Sequence, residues 1–268
     1  MTLTDVEVAI AAAQAGADVA ARNYGGDHIR LAKSATDFAT QTDVDAEAAI
    51  IAVLTRHRPA DARTGEESGS GGEVHASRRW LIDPLCGTAN FAADTPLVVV
   101  NVAISANGVT LAAAAADPVA REIFWTDREN AYRRSDEDRP LSPTAQSRLV
   151  EVNCDDRLDL ALIGGRLVGD PRLRGAFQPR VISSTLGVAW VAAGRRAAYV
   201  SDGEFREDLH FAAGIALCEA AGCVMSDFAG NPLHTGRGLL ISADKQTHDR
   251  MLALVQPHLG SARSRRNW

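Results

Sequence analysis

The chain is poor in lysine, poor in aromatic residues and without a long apolar run. Only Lys33 and Lys245 among its 28 basic residues are lysine, an Ala- and Arg-rich balance expected of a GC-rich genome. The four cysteines, Cys86, Cys154, Cys218 and Cys223, form no CxxC pair. That argues against a disulfide framework and for reduced thiols in a cytoplasmic protein. No apolar stretch approaches the roughly 18 residues a membrane span needs, so no membrane partner is expected. Asp5 and Glu7 stand where a signal peptide would need positive charge. The formal charge of −6 lacks the basic surface of a general nucleic-acid binder, so no nucleic-acid partner is expected either. The one basic run, Arg263, Arg265 and Arg266, reads as a solvated, frayed tail.

What is present suits a large globular core. With 268 residues, 46% hydrophobic and 23% charged, the chain is long enough for one large or two closely packed domains. Residues 5–24 predict a helix capped by Thr4, broken by Gly25-Gly26. A short strand or turn follows around residues 28–33, then an amphipathic helix over 42–54. Residues 65–72, rich in Gly and Ser around Glu66 and Glu67, predict a mobile loop. Strands are predicted at 80–82, at 96–106 and 109–116 across the turn Asn107-Gly108, and as a further pair within 123–133. The polar stretch 134–147 predicts a boundary, giving domains 1–140 and 141–268. The second would carry helices at 185–193 and 210–221, the latter opening with His210. Strands first and alternating elements later indicate an α/β protein of layered sheets and helices.

One segment points to chemistry. In Asp83-Pro84-Leu85-Cys86-Gly87-Thr88, a carboxylate closes a strand, proline stiffens the turn, and glycine lets backbone N–H groups approach an anion. Such an arrangement suits an ion beside a phosphate, and equally a plain strand-to-turn connection.

The rest of the chain makes the pattern specific. Gly65-Glu66-Glu67-Ser68 and Trp80-Leu81-Ile82-Asp83-Pro84-Leu85-Cys86-Gly87-Thr88-Ala89-Asn90-Phe91 resemble the GEES and WIIDPLDGTTNF motifs of the inositol monophosphatase family. Asp37-Phe38-Ala39-Thr40-Gln41-Thr42-Asp43 resembles its segment ending in T-x-x-D. Leu209-His210-Phe211-Ala212-Ala213-Gly214, followed by Ser226-Asp227-Phe228-Ala229-Gly230, resembles its WDxAAG helix and DxxG turn. The resemblance runs from about residue 5 to 255. It implies a layered αβαβα sandwich of the inositol monophosphatase and fructose-1,6-bisphosphatase type, commonly a homodimer. It also implies divalent ions, usually Mg²⁺, that activate water against a small phosphorylated polyol, sugar or nucleotide. By position, the metal ligands would be Glu66, Asp83 and the Leu85 carbonyl. Gly87 and Thr88 would meet the phosphate, Thr88 with Asp43 would orient water, and Lys33 would lie near the metals.

The departures are two. Cys86 stands at the family's second aspartate of DPLDG, and His210 at the aspartate of its WD pair. Asp208, two residues away, offers a carboxylate if the match slips. Asp202, Glu204 and Glu207 compete for the family's substrate-contacting acidic position. Losing two anionic oxygens is expected to weaken Mg²⁺ binding, since that ion takes hard oxygen ligands. Three outcomes follow: a pseudo-phosphatase with a binding or regulatory role, a softer ion such as Zn²⁺ (or Mn²⁺) in the site, or different chemistry by Cys86 and His210.

Overall fold

The computed structural model describes residues 2–34, 37–73, 75–154 and 163–259, so the basic run Arg263, Arg265, Arg266 lies outside the described residues. The helices are α1 (Asp5–Asn23), α2 (Gln41–His57), α3 (Thr88–Phe91), α4 (Ile163–Gly169), α5 (Pro171–Ala176), α6 (Leu186–Ala192), α7 (Ala212–Ala220) and α8 (Lys245–Val255). Two compact units are present. The first comprises Met1–Pro140, Ser184–Ala189 and Glu207–Ala220; the second comprises Leu141–Ser183, Trp190–Arg206 and Ala221–Trp268.

In the first unit β1 (Arg30–Ala32) and β2 (Phe38–Thr40) form a small antiparallel pair. The main sheet contains β3 (Ala62–Gly65), β4 (Gly69–Gly72), β5 (Arg78–Cys86), β6 (Val99–Ala106), β7 (Val109–Asp117), β8 (Glu122–Thr126), β9 (Ala131–Arg134) and β10 (Asp138–Pro140). Its order is β10-β9-β8-β7-β6-β5-β3-β4, with β3 parallel to β5. Alternation along β5 divides the two faces. Trp80 and Ile82, with Val100, Val102 and Ile104 of β6, meet Val8, Ala12, Ile50 and Leu54 of α1 and α2. Leu81, with Ala103 and Ala113, meets Ala212, Ala213 and Ala216 of α7 on the other face. α1 begins at a reciprocal cap, in which the Thr4 hydroxyl accepts the Glu7 N–H and the Glu7 carboxylate accepts the Thr4 N–H.

The packing of α7 explains a departure from the expected division at residue 140. The segment carrying His210 belongs to the first unit, because the small residues of α7 bury themselves on the sheet built before residue 140. The helix also starts later than residue 210. The Asp208 carboxylate accepts the N–H groups of His210 and Phe211 at 2.9 and 3.2 Å, holding a turn ahead of Ala212. Residues 65–72 differ as well: they are the tip and return strand of the β3–β4 hairpin, not a loose loop. Buried Glu47 of α2 holds the tip by accepting the Glu67 and Ser68 N–H groups at 2.8 Å each. Gly65 is required there, since a Cβ would lie 2.4 Å from Glu47 Oε1.

The second unit is built on β11 (Leu149–Val152), β12 (Gln178–Val181), β13 (Ala198–Ser201), β14 (Val224–Ser226) and β15 (Leu239–Ser242), in the order β12-β11-β13-β15-β14. Strand β11 runs parallel to β12 and β13, while β15 is antiparallel to β13 and β14. Its core joins Val150, Val152 and Val200 to Leu167, Leu173 and Met251 of the helices α4, α5 and α8.

Candidate functional site

Strand β5 creates the site by ending irregularly. Asp83 pairs with Asn101 and Cys86 with Val99 of β6, and the register shifts between them. In a regular strand, residues three apart point to opposite faces. The irregularity at Pro84-Leu85 instead brings Asp83 and Cys86 toward one partner, His210. One ligand atom from each of the three lies within 4.8 Å of the others. Leu85 anchors the turn, its side chain buried with Ala20, Phe91 and Val98. Gly87 follows at φ 101°, a backbone conformation that disfavours any side chain, and leads into α3.

Asp83 is fully buried and has three donors. Leu85 N–H reaches Oδ1 at 3.1 Å, while Asn101 Nδ2 at 3.4 Å and His210 Nδ1 at 2.9 Å reach Oδ2. His210 Nδ1 also lies 4.0 Å from Glu66 Oε2, and its side chain is 39% exposed. Cys86 Sγ accepts the Thr185 N–H at 3.3 Å. Lys33 Nζ bridges Glu66 Oε1 at 2.9 Å and Glu67 Oε1 at 2.7 Å. At a second corner, Asp43 receives the Thr40 N–H at 2.8 Å, the Thr40 hydroxyl at 2.5 Å and the Thr88 hydroxyl at 2.8 Å. All of these residues belong to the first unit.

The charges follow from these contacts. Burial, reinforced by the Asp83 charge, pushes Glu66 up to about 7 although Lys33 opposes the shift. Burial works against a charged His210, yet the Asp83 charge and hydrogen bond, with Glu66, raise it to about 9. Burial likewise opposes the Lys33 charge, but its bonds to Glu66 and Glu67 raise its pKa. Burial pushes the Cys86 thiol well above its ordinary range, helped by Asp83. Burial raises Asp43, with the Thr40 and Thr88 donors opposing. An ammonium and an imidazole therefore sit against the carboxyl groups of Glu66, Glu67 and Asp83.

The structure thus gathers Lys33, Asp43, Glu66, Asp83, Cys86, Thr88 and His210 in one unit. Asp208 is occupied with the turn before α7, and it is the His210 ring that meets Asp83. Asp202 lies in the second unit, bonded to the Arg237 guanidinium and the Ile163 N–H. Motif reading missed Glu47, Asn101 and Thr185. Asn101 Nδ2 bonds Thr185 Oγ1 at 2.8 Å as well as Asp83, tying the two Asp83 and Cys86 supports together. Glu47 alone had a local signal, a carboxylate one helical turn after Asp43 on the buried face of α2. A cavity of about 460 Å³ lies elsewhere in this unit, lined by Asp18, Arg22, Asp117 and Arg121 among others, and contains none of the site residues.

Comparison with known proteins identifies the family and the fold. A family model described as the inositol monophosphatase family matches residues 2–259. The Nus factor SuhB of Escherichia coli K12 is 31% identical over 271 residues, covering 97% of this chain and 98% of its own. An inositol-1-monophosphatase of Mesorhizobium japonicum is 29% identical over 237 residues, covering 85% and 86%. The inositol monophosphatase structure from Thermotoga maritima superposes with a TM-score of 0.81 at 20% identity, covering 96% and 98%. The mixed α/β fold is therefore that of the inositol monophosphatases. Among the described residues, no helix is long and apolar enough to cross a membrane.

One expectation is overturned. Relatives spanning nearly the whole chain carry the name Nus factor, which conflicts with the exclusion of a nucleic-acid partner. Net charge sums the whole surface and does not limit what one region of it contacts, so −6 excludes no such partner.

Proposed function

Because the chain belongs to the inositol monophosphatase family, we propose that it holds a small phosphorylated polyol, sugar or nucleotide, with Mg²⁺-dependent hydrolysis impaired. The observation that carries this reading is His210 Nδ1 seated 2.9 Å from the buried Asp83 carboxylate, where the family pattern has an aspartate. The residues do not fit Mg²⁺ well. That ion wants near-octahedral oxygen at about 2.0–2.1 Å. Here Asp83 faces an imidazole, Glu66 faces the Lys33 ammonium, and the third position is a thiol. At an effective dielectric near 20, each carboxylate lost from about 4 Å of a divalent ion removes several kcal/mol of attraction before desolvation.

The remaining groups support binding. Lys33 supplies a cation, Gly87 and Thr88 supply the turn against which a phosphate rests, and Asp43 holds the Thr88 hydroxyl in one orientation. The test is turnover and binding on one preparation. Wild type should hydrolyse phosphorylated sugars, cyclitols and nucleotides far more slowly than the roughly 1–10³ s⁻¹ of ordinary enzymes. Those compounds should still raise its melting temperature by mass action. Mg²⁺-stimulated turnover within the ordinary range would overturn the reading.

A second reading is a regulatory protein that keeps the fold as a binding surface without turnover. The name Nus factor among relatives at 31% identity favours it. Absence of both turnover and stabilisation by any phosphate monoester would select it.

A further inference from the structure

We propose that Asp83, Cys86 and His210 form a site for a soft divalent cation such as Zn²⁺, with a water or Glu66 completing four ligands. This deepens the reading above and rests on it in one respect, that Mg²⁺ is not the resident ion.

The donor set is the first argument. One carboxylate, one thiol and one imidazole match the mixed O, S and N ligands of Zn²⁺ and not an all-oxygen ion. Geometry is the second. Metal bonds of about 2.0–2.3 Å in a tetrahedron place ligand atoms roughly 3.3–3.7 Å apart. The three atoms already lie within 4.8 Å of one another, and Nδ1 of His210 is 2.9 Å from Oδ2 of Asp83. Among the described residues this is the one such group of three ligands.

The surroundings are the third argument. Asp83 is oriented by Leu85 N–H and Asn101 Nδ2, and Asn101 is itself bonded to Thr185 Oγ1. The Thr185 N–H points at Cys86 Sγ, the kind of support a metal-bound thiolate receives. The exposed edge of His210 leaves an entry path and room for a fourth ligand. On binding, the thiol and any imidazolium proton leave to solvent, so affinity rises with pH.

Co²⁺ titration of metal-free full-length protein is the test. The expected result is one equivalent bound, with a near-ultraviolet thiolate-to-cobalt charge-transfer band and the strong visible bands of tetrahedral cobalt, both removed by one equivalent of Zn²⁺. Cys86→Ser should abolish the charge-transfer band, and His210→Gln should weaken binding at least about tenfold. Both variants retain Cys154, Cys218 and Cys223, so a signal surviving in Cys86→Ser would reveal thiol binding elsewhere and overturn the proposal. So would the absence of a sulfur band in wild type, a result that needs no variant to fold. Titrating inorganic phosphate into the same metal-free wild type separates the two readings. Phosphate binding without a cobalt–sulfur band sinks the metal site alone; a band without phosphate binding sinks the phosphate pocket alone.

Discussion

Asp43 and Asp83 are both fully buried carboxylates of the same unit, but they are satisfied in opposite ways. Asp43 receives neutral donors, two of them from Thr40 three residues away and one from Thr88. Asp83 receives a neutral N–H from its own turn, an amide N–H from Asn101 and a titratable imidazole from 127 positions along the chain. A carboxylate held by its own helix start stays organised whatever else changes. One held by a distant imidazole depends on the packing of α7 and on the protonation of that ring. The corner that holds His210 is the one whose partner arrives by tertiary structure.

The largest expected effect comes from erasing the contrast. Cys86→Asp with His210→Asp should raise Mg²⁺-dependent monoester hydrolysis at least about 100-fold over wild type, with each single change giving under about tenfold. A folded double variant with no gain in a steady-state assay would mean that the altered ligands are not what limits the site.

Removing each carboxylate sharpens the comparison. Asp83→Ala and Asp43→Ala both strand buried donors, and each should cost about 3 kcal/mol in urea unfolding. The Asp83→Ala loss should shrink as pH rises through about 9, where its imidazole partner titrates, while the Asp43→Ala loss should not change across that step. Equal pH dependence in the two would break the contrast.

Wild-type stability should itself depend on pH with a defined sign. His210 is raised from 6.5 to about 9, so its stabilisation is complete below 6.5 and is lost as pH rises through 9. Glu66 is raised from 4.5 to about 7, so the fold is favoured most while it is protonated, below 4.5, and that contribution is lost as pH rises through 7. Both predict a melting temperature falling from mildly acid to alkaline pH. His210→Gln should flatten the upper part of the curve and, by removing a cation that opposes the Glu66 shift, move the lower part to higher pH, a result readable by thermal denaturation across buffers.

The smallest effect belongs to Lys33. Its ion pairs with Glu66 and Glu67 are part-exposed, with side-chain exposure of 28%, 23% and 11%. Lys33→Met should therefore cost no more than about 1 kcal/mol of stability. It should weaken phosphate binding more visibly, and unchanged phosphate affinity would remove Lys33 from the pocket.

Much of the site was legible because its residues sit in short motifs. Thr88 donates to Asp43, and His210 Nδ1 lies near both Asp83 and Glu66, so the motif residues come close to one another. The hairpin at 65–72 was not legible, since Gly and Ser signal a loop while the Glu47 carboxylate that orders the turn lies 20 residues upstream. Asn101 and Thr185 were invisible for the same reason: neither sits in a motif, and each matters only through a partner at least 18 residues away. The exclusion of a nucleic-acid partner failed because a summed charge carries no spatial information.

By itself the sequence determined the family, the α/β class and the turn at Gly87, since each depends on residue types at short spacing. Only the tertiary structure decided that His210, and not Asp208, faces Asp83. Asp208 spends its carboxylate on two backbone N–H groups, and the alanine face of α7 must lie on the sheet, which carries the imidazole to the end of β5. Burial then makes that meeting consequential, because a charge removed from water takes its character from whichever partner the packing supplies.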